Sequence, residues 1–321
     1  MRKIAVCADF GTDEYCSQID RLAEELGFTV EYFSSRDESM KEQIASFEII
    51  FGYPPPEWLH EAKHLRWMSS AAAGIEKFLP EGVLPRPDCL LTNGSGIYGT
   101  TISEHLLMML LMLMRRMPEY QPLIEARQWK YLTPIRSIAG SHCLLLGTGD
   151  IGSCTARKLC ALGASVTGIN RSGQSQEPAF EQILPLAELD HVLPLADALI
   201  MALPETPETV GILSRERISL LPPSAYVINV GRGSAIDQAA LIEALQAHRL
   251  AGAALDVMKP EPLPSDHPLW DCPNVILTPH ISGNMSLRLT CDLAVALFCR
   301  NLKNYAFGRP LENQIDWTKG Y

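Results

Sequence analysis

The nine cysteines of this 321-residue chain form no CxxC pair and no spacing that suits a metal, so the sequence indicates neither a zinc site nor a dithiol redox motif. The odd count and the lack of a cleavable apolar leader before MRKIAVCADF point to free thiols in a reducing cytoplasm. Long hydrophobic runs are missing too. The richest apolar stretch, EHLLMMLLMLMRRM at 104–117, falls far short of the roughly 20 residues that span a bilayer, and reads as a buried or interface helix. Positive charge is also scarce: 27 Lys and Arg stand against 37 Asp and Glu, a net −10. That balance excludes a broad basic face for nucleic acid or an anionic membrane, though a small local cationic pocket is still allowed. There is no low-complexity tract, and 47% hydrophobic with 20% charged residues is ordinary for a soluble globular protein.

Apolar runs and amphipathic segments alternate along the chain. In residues 1–98, KIAVCAD, FTVEYFS, FEIIFGY, LRWMSS and CLLTN are strand-like, with DEYCSQIDRLAEELG the clearest helix. A helix at 101–117 follows, with Thr100, Thr101 or Ser103 as its cap. A second series supplies six strands: 142–147, 164–169, 197–203, 225–230, 253–257 and 274–278. Helical segments such as SCTARKLCALG and DQAALIEALQAHRL separate most of them, and a last amphipathic helix covers 286–306. At this length two domains are expected, and the alternation implies parallel α/β layers, the second a doubly wound sheet.

The segment LLLGTGDIGSCTARKLCALGA carries Gly147, Gly149 and Gly152 as GxGxxG between an apolar strand and a helix. In that context the glycines permit a tight turn, close approach of a pyrophosphate and close helix–strand packing. Asp150 in its midst reads as a helix cap pointing to solvent.

Ligands of doubly wound sheets bind outside the carboxyl ends of the strands. Those ends hold Gly147–Gly152 with Ile151, then Asn170, Arg171 and Ser172, Leu203 and Pro204, Val230, Gly231 and Arg232, Asp256 with Glu261 beyond, and His280 followed by Ser282 and Gly283. Arg, Glu and His at one rim suit a 2-oxo acid. A guanidinium can hold its carboxylate and carbonyl oxygens. A histidine can supply the proton that the alkoxide needs after hydride arrives. A carboxylate on the other ring nitrogen favours the protonated imidazole and fixes its orientation. Arg232, His280 and Glu261 are assigned these three roles. His267, in DHPLW, reads as a structural loop residue.

These residues lie in LLLGTGDIG, VINVGRGSAID, ALDVMKPEPLPSDHPLW and NVILTPHISG, and over nearly its whole length the chain resembles the D-isomer-specific 2-hydroxyacid dehydrogenases. The resemblance implies catalytic roles for Arg232, Glu261 and His280, and a nicotinamide-carboxamide contact for Asp256. It implies a substrate loop at Ala72, Ala73 and Gly74 in SSAAAGIEKF, whose amides bind the carboxylate; the family more often has glycine where Ala72 stands. It also implies a flavodoxin-like substrate domain of 1–98 and 285–321, with a Rossmann cofactor domain of 99–284 inserted, and homodimers formed through the cofactor domains. The short-chain glyoxylate/hydroxypyruvate reductase branch resembles the chain most. A non-enzymatic dinucleotide-sensing corepressor on the same fold is the alternative, and a formate or phosphite dehydrogenase a further one.

Users of NAD place an acid at the end of the second strand, for the ribose 2′-hydroxyl. Here GINRSG supplies Asn170, Arg171 and Ser172 and no acid. A guanidinium and a hydroxyl suit a 2′-phosphate, which gives NADP as the expected cofactor with NAD the alternative. No metal is expected.

Overall fold

The computed structural model describes residues 2–8, 13–86, 88–272 and 274–317. Asp9 of KIAVCAD and residues 318–321 of the closing segment lie outside them. The chain divides into two compact units, Met1–Tyr98 with Asn284–Tyr321, and Gly99–Gly283.

The first unit is a five-stranded parallel sheet of β1 (Arg2–Cys7), β2 (Phe28–Phe33), β3 (Ile49–Gly52), β4 (Trp67–Ser70) and β5 (Leu90–Thr92), in the order β2-β1-β3-β4-β5. This is the flavodoxin-like order. The strands β3 and β4 are buried at every position, as a parallel sheet covered on both faces requires. One face meets the helices Asp13–Glu25 and Arg288–Ala306 through Ile4, Val6, Ile19, Phe51, Trp67, Val295 and Phe298. Phe298 stacks on Phe51 at 4.1 Å between ring centroids and on Trp67 at 5.5 Å. The other face closes over Met40, Phe47, Leu59, Met68 and Phe78.

The second unit is a seven-stranded parallel sheet: β6 (His142–Leu146), β7 (Ser165–Asn170), β8 (Gln182–Pro185), β9 (Ala198–Met201), β10 (Tyr226–Asn229), β11 (Gly252–Leu255) and β12 (Val275–Leu277). Its order, β12-β11-β10-β9-β6-β7-β8, reverses between β6 and β9, the switch point of a Rossmann sheet. Six strands were expected here. The seventh, β8, is a short edge strand with no fully buried residue that ends in proline, so it shows neither alternation nor a continuous apolar run.

The Leu/Met-rich segment forms the helix Gly99–Met114, which starts before Thr100, Thr101 and Ser103, so none of these can be the residue ahead of it. Ser103 instead accepts from Lys158 Nζ at 2.6 Å and donates to the Thr100 carbonyl. The helix ends at Met114, and after the left-handed Arg116 a second, shorter helix follows at Met117–Glu125. Leu106, Met109, Leu110 and Leu113 are buried, whereas Met108 and Leu111 on the same helix are exposed. Among the described residues no helix is long and apolar enough to cross a membrane.

The Phe298 stack ties the C-terminal helix to the first sheet. Replacing Phe298 with alanine removes it and leaves a cavity, at a cost of about 3–5 kcal/mol. Thermal unfolding followed by circular dichroism should show a clear drop in Tm; a Tm equal to that of the parent would contradict the packing described.

Candidate active site

The glycines of GTGDIG follow β6, and the fold needs them for different reasons. Gly147 has φ +100°, and a Cβ there would lie 2.6 Å from the Ala202 carbonyl oxygen. A Cβ on Gly152 would lie 2.1 Å from the Gly147 carbonyl oxygen. Both are therefore required by the protein's own packing. Gly149 is different: a Cβ there would meet nothing within 4 Å, so the space before it is open. Gly149 also precedes the helix Asp150–Ala161 without any side-chain cap. An open glycine before the uncapped, positive end of a 12-residue helix fits the pyrophosphate of a dinucleotide. Asp150 is not the cap that the sequence suggested. It is the first helical residue, exposed, and its carboxylate lies against Gly99, where a Cβ would meet Oδ1 at 2.5 Å.

At the end of β7 the side chain of Asn170 is used by the chain itself. Its Nδ2 donates to Thr148 Oγ1 and to the Gln174 carbonyl, each at 2.7 Å, and its Oδ1 accepts from the Gly173 amide at 2.7 Å. Ser172 Oγ donates to the same Oδ1 at 3.2 Å. The amide thus shapes the turn, and Arg171 at its tip is exposed.

Four further loops lie at the carboxyl edge. After β10, the fully buried Asn229 donates to the Arg232 carbonyl at 2.8 Å and accepts from the Gly231 amide at 3.0 Å, which sets the turn carrying Arg232. Gly231 packs on Leu203 of the β9 loop, with Pro204 next in sequence; Val230 is buried behind it. Arg232 Nη1 donates to the Gly231 carbonyl at 2.7 Å. Gly233 lies so close to Met258 that a Cβ would meet its carbonyl at 2.2 Å, which brings the Arg232 loop against the loop of Glu261. Glu261 Oε1 accepts from the Met258 amide at 2.9 Å, and Oε2 meets His280 Nδ1 at 2.8 Å. The His280 side chain is half exposed, with its other ring nitrogen outside this pair. An imidazole oriented by a carboxylate, beside a guanidinium loop, can hold and release a proton. His267, as expected, is structural: its ring caps the short helix Pro268–Asp271 by accepting from the Leu269 amide.

Asp256 follows β11 and is wholly buried. Its Oδ1 accepts from Thr278 Oγ1 at 2.6 Å and from the Ile281 amide at 2.9 Å; its Oδ2 accepts from the Ser282 amide at 3.0 Å. Its carbonyl accepts from the His280 amide at 2.9 Å. Burial by itself would raise the pKa of this carboxyl. The hydrogen bonds from the Ser282 and Thr278 hydroxyls and from the two amides outweigh that and hold it below the ordinary aspartate range. The residue encloses the turn that holds His280 at φ +53°.

In the first unit, the loop after β4 has its carbonyls tied back. Ala71 accepts from the Tyr98 hydroxyl, Ala72 from the Gly94 amide and Ala73 from Asn93 Nδ2, each at 2.9 Å. The Ala72 amide donates to Ser70 Oγ at 3.2 Å. The amides of Ala73 and Gly74 have no partner among the described residues, which leaves two donors for an anion. Ser70, Asn93, Tyr98, Asn229 and Thr278 were not found from the sequence. Only Asn229 gave a signal there, as a polar residue inside the apolar run AYVINV. Among the described residues no group of three or more His, Cys, Asp or Glu is placed to hold a metal ion.

Residues 107–282 match the family model of the NAD-binding domain of D-isomer-specific 2-hydroxyacid dehydrogenases. A glyoxylate/hydroxypyruvate reductase A of Yersinia enterocolitica is 31% identical over 295 residues, 87% of this chain and 88% of that protein. The fold is similar to that of a D-isomer-specific 2-hydroxyacid dehydrogenase family protein of Aeromonas salmonicida, with a TM-score of 0.87 and 32% identity over 98% of this chain and 99% of the other. It is also similar to an NADPH-dependent glyoxylate/hydroxypyruvate reductase of Sinorhizobium meliloti solved with NADP and sulfate, with a TM-score of 0.83 and 27% identity over 100% of both chains. With the glycine turn, the Arg232 loop and the Glu261–His280 pair at one sheet edge, these matches place the chain in the D-isomer-specific 2-hydroxyacid dehydrogenase family.

Proposed function

We propose that the protein reduces a small 2-oxo acid, glyoxylate or hydroxypyruvate, to its D-2-hydroxy acid, with NADPH preferred over NADH. The 2.8 Å contact between Glu261 and His280 carries this reading, because it supplies an oriented proton donor at the edge that holds the glycine turn. When bound, a nicotinamide would supply the hydride that adds to the carbonyl carbon. Arg232 holds the carbonyl and carboxylate oxygens and draws electron density toward the oxygen. His280, protonated and steadied by Glu261, gives its proton to the oxygen as it becomes an alkoxide. In the reverse direction the neutral imidazole takes that proton back. As the resemblance implies, the amides of Ala73 and Gly74 in the first unit are the candidates to bind a carboxylate. Gly147–Gly152 with Ile151 take the pyrophosphate, and Leu203, Pro204, Val230, Gly231, Asp256, Ser282 and Gly283 line the rest of the cofactor's path. Similarity to an enzyme described as NADPH-dependent supports the cofactor choice, as do the exposed Arg171 and the lack of Asp or Glu within GINRSG.

The exposed apolar side chains of the second unit favour a second copy of the chain as a partner. Met108, Leu111, Trp129, Tyr131 and Ile135 are all exposed, Trp129 at 94% of its surface. A homodimer formed through this unit would cover them.

Three measurements check these readings. His280→Ala and Arg232→Ala should each lower kcat/KM for glyoxylate by about a hundredfold or more; a variant that keeps turnover removes that residue from the chemistry. The parent should show a higher kcat/KM with NADPH than with NADH, and Arg171→Ala should narrow the ratio. A parent that prefers NADH, or an alanine variant with an unchanged ratio, contradicts the cofactor assignment. Light scattering should give twice the chain mass for the parent and the monomer mass for Leu111→Asp combined with Trp129→Asp; a monomeric parent overturns the dimer.

A further inference from the structure

The helix Gly99–Met114 carries one imidazole, His105, beside the buried Leu106 and Met109, and the reaction as proposed makes no use of it. Its side chain is only 14% exposed. Nε2 lies 3.1 Å from Thr278 Oγ1 and 3.8 Å from Asp256 Oδ1.

Counting hydrogens fixes the direction of this chain. Thr278 has one hydroxyl hydrogen, and the 2.6 Å contact with the ionised Asp256 takes it, since a carboxylate can only accept. The remaining Thr278–His105 contact must then be donated by the ring, so the proton sits on Nε2 of His105. The sequence of bonds is His105 to Thr278, Thr278 to Asp256, and the Ile281 and Ser282 amides to the same carboxylate from the far side. The His280 amide closes it on the Asp256 carbonyl.

Loss of the Nε2 donor would free Thr278 to rotate its hydroxyl. The next acceptor within reach, the Met109 sulfur at 4.0 Å, is a weak one. Asp256 would then lose its 2.6 Å bond from Thr278, and the turn 278–282 one of its attachments. We infer that His105 is a positioning residue: acting through Thr278 and Asp256, it holds the left-handed turn that sets His280 against Glu261.

The inference rests on the proposed reduction for its kinetic consequence, but not for its structural one. The test compares the full-length parent with His105→Leu and His105→Gln. Glutamine retains an amide donor near the position of Nε2; leucine keeps the bulk without the donor. The leucine variant should lose about tenfold in kcat, with KM for NADPH and for glyoxylate within about twofold of the parent. Glutamine should recover most of the loss. Crystal structures should show the Glu261–His280 contact in the parent and the glutamine variant, and a displaced His280 in the leucine variant. An intact 2.8 Å contact in the leucine variant overturns the inference, as does a kcat equal to the parent's or a glutamine variant as slow as leucine. Should the parent turn over no 2-oxo acid, the proposed function fails and the crystal structures alone decide the role of His105.

Discussion

The carboxylate of Asp256 is the constraint on which the candidate site depends. A charge with no exposed surface is tolerated only when donors surround it, and here two hydroxyls and two backbone amides do so. Each of those donors belongs to the segment 278–282. The same requirement that keeps the charge satisfied therefore fixes the turn, and the turn carries His280. Its left-handed φ is uncommon for a non-glycine residue, and such a conformation persists only where the surroundings determine it.

The same device recurs along the sheet edge. Asn229, buried at the end of β10, binds both the amide and the carbonyl of the Arg232 turn. Asn170, at the end of β7, does the same for the turn that presents Arg171, and it reaches across to Thr148 in the glycine turn. In β7 and β10 the amide side chain stands at the last residue of the strand. There the polar group can satisfy the loop's backbone while the loop leaves the sheet. Arg171 and Arg232 are then the immediate or near neighbours of these anchors in sequence.

This division explains which parts could be read from the sequence. The GxGxxG turn, the six apolar strands and the Arg, Glu and His at the strand ends are local patterns, visible in windows of a few residues. The strand β8 was missed because an edge strand buries too little to leave a pattern. The sequence does not reveal that Asn170 also forms the turn 170–174 through its hydrogen bonds, and it suggests Asp150 as the cap where Gly149, one position earlier, stands. The pairing of His105 with Thr278 spans 173 residues of sequence, and no local period encodes it. The same holds for the tie between Tyr98 and Ala71, or Asn93 and Ala73, which depends on how β4 and β5 lie side by side.

The central claim is that this edge delivers a hydride to the carbonyl carbon of a 2-oxo acid and a proton from His280 to its oxygen. The fate of the hydride tests it most directly. Hydroxypyruvate should be incubated with NADPH carrying deuterium at the transferred position of C4, and the product analysed by mass spectrometry and chiral chromatography. The account predicts D-glycerate with one deuterium at C2. Glycerate without deuterium at that carbon, the L isomer, or no product with hydroxypyruvate or glyoxylate and either nicotinamide would contradict it.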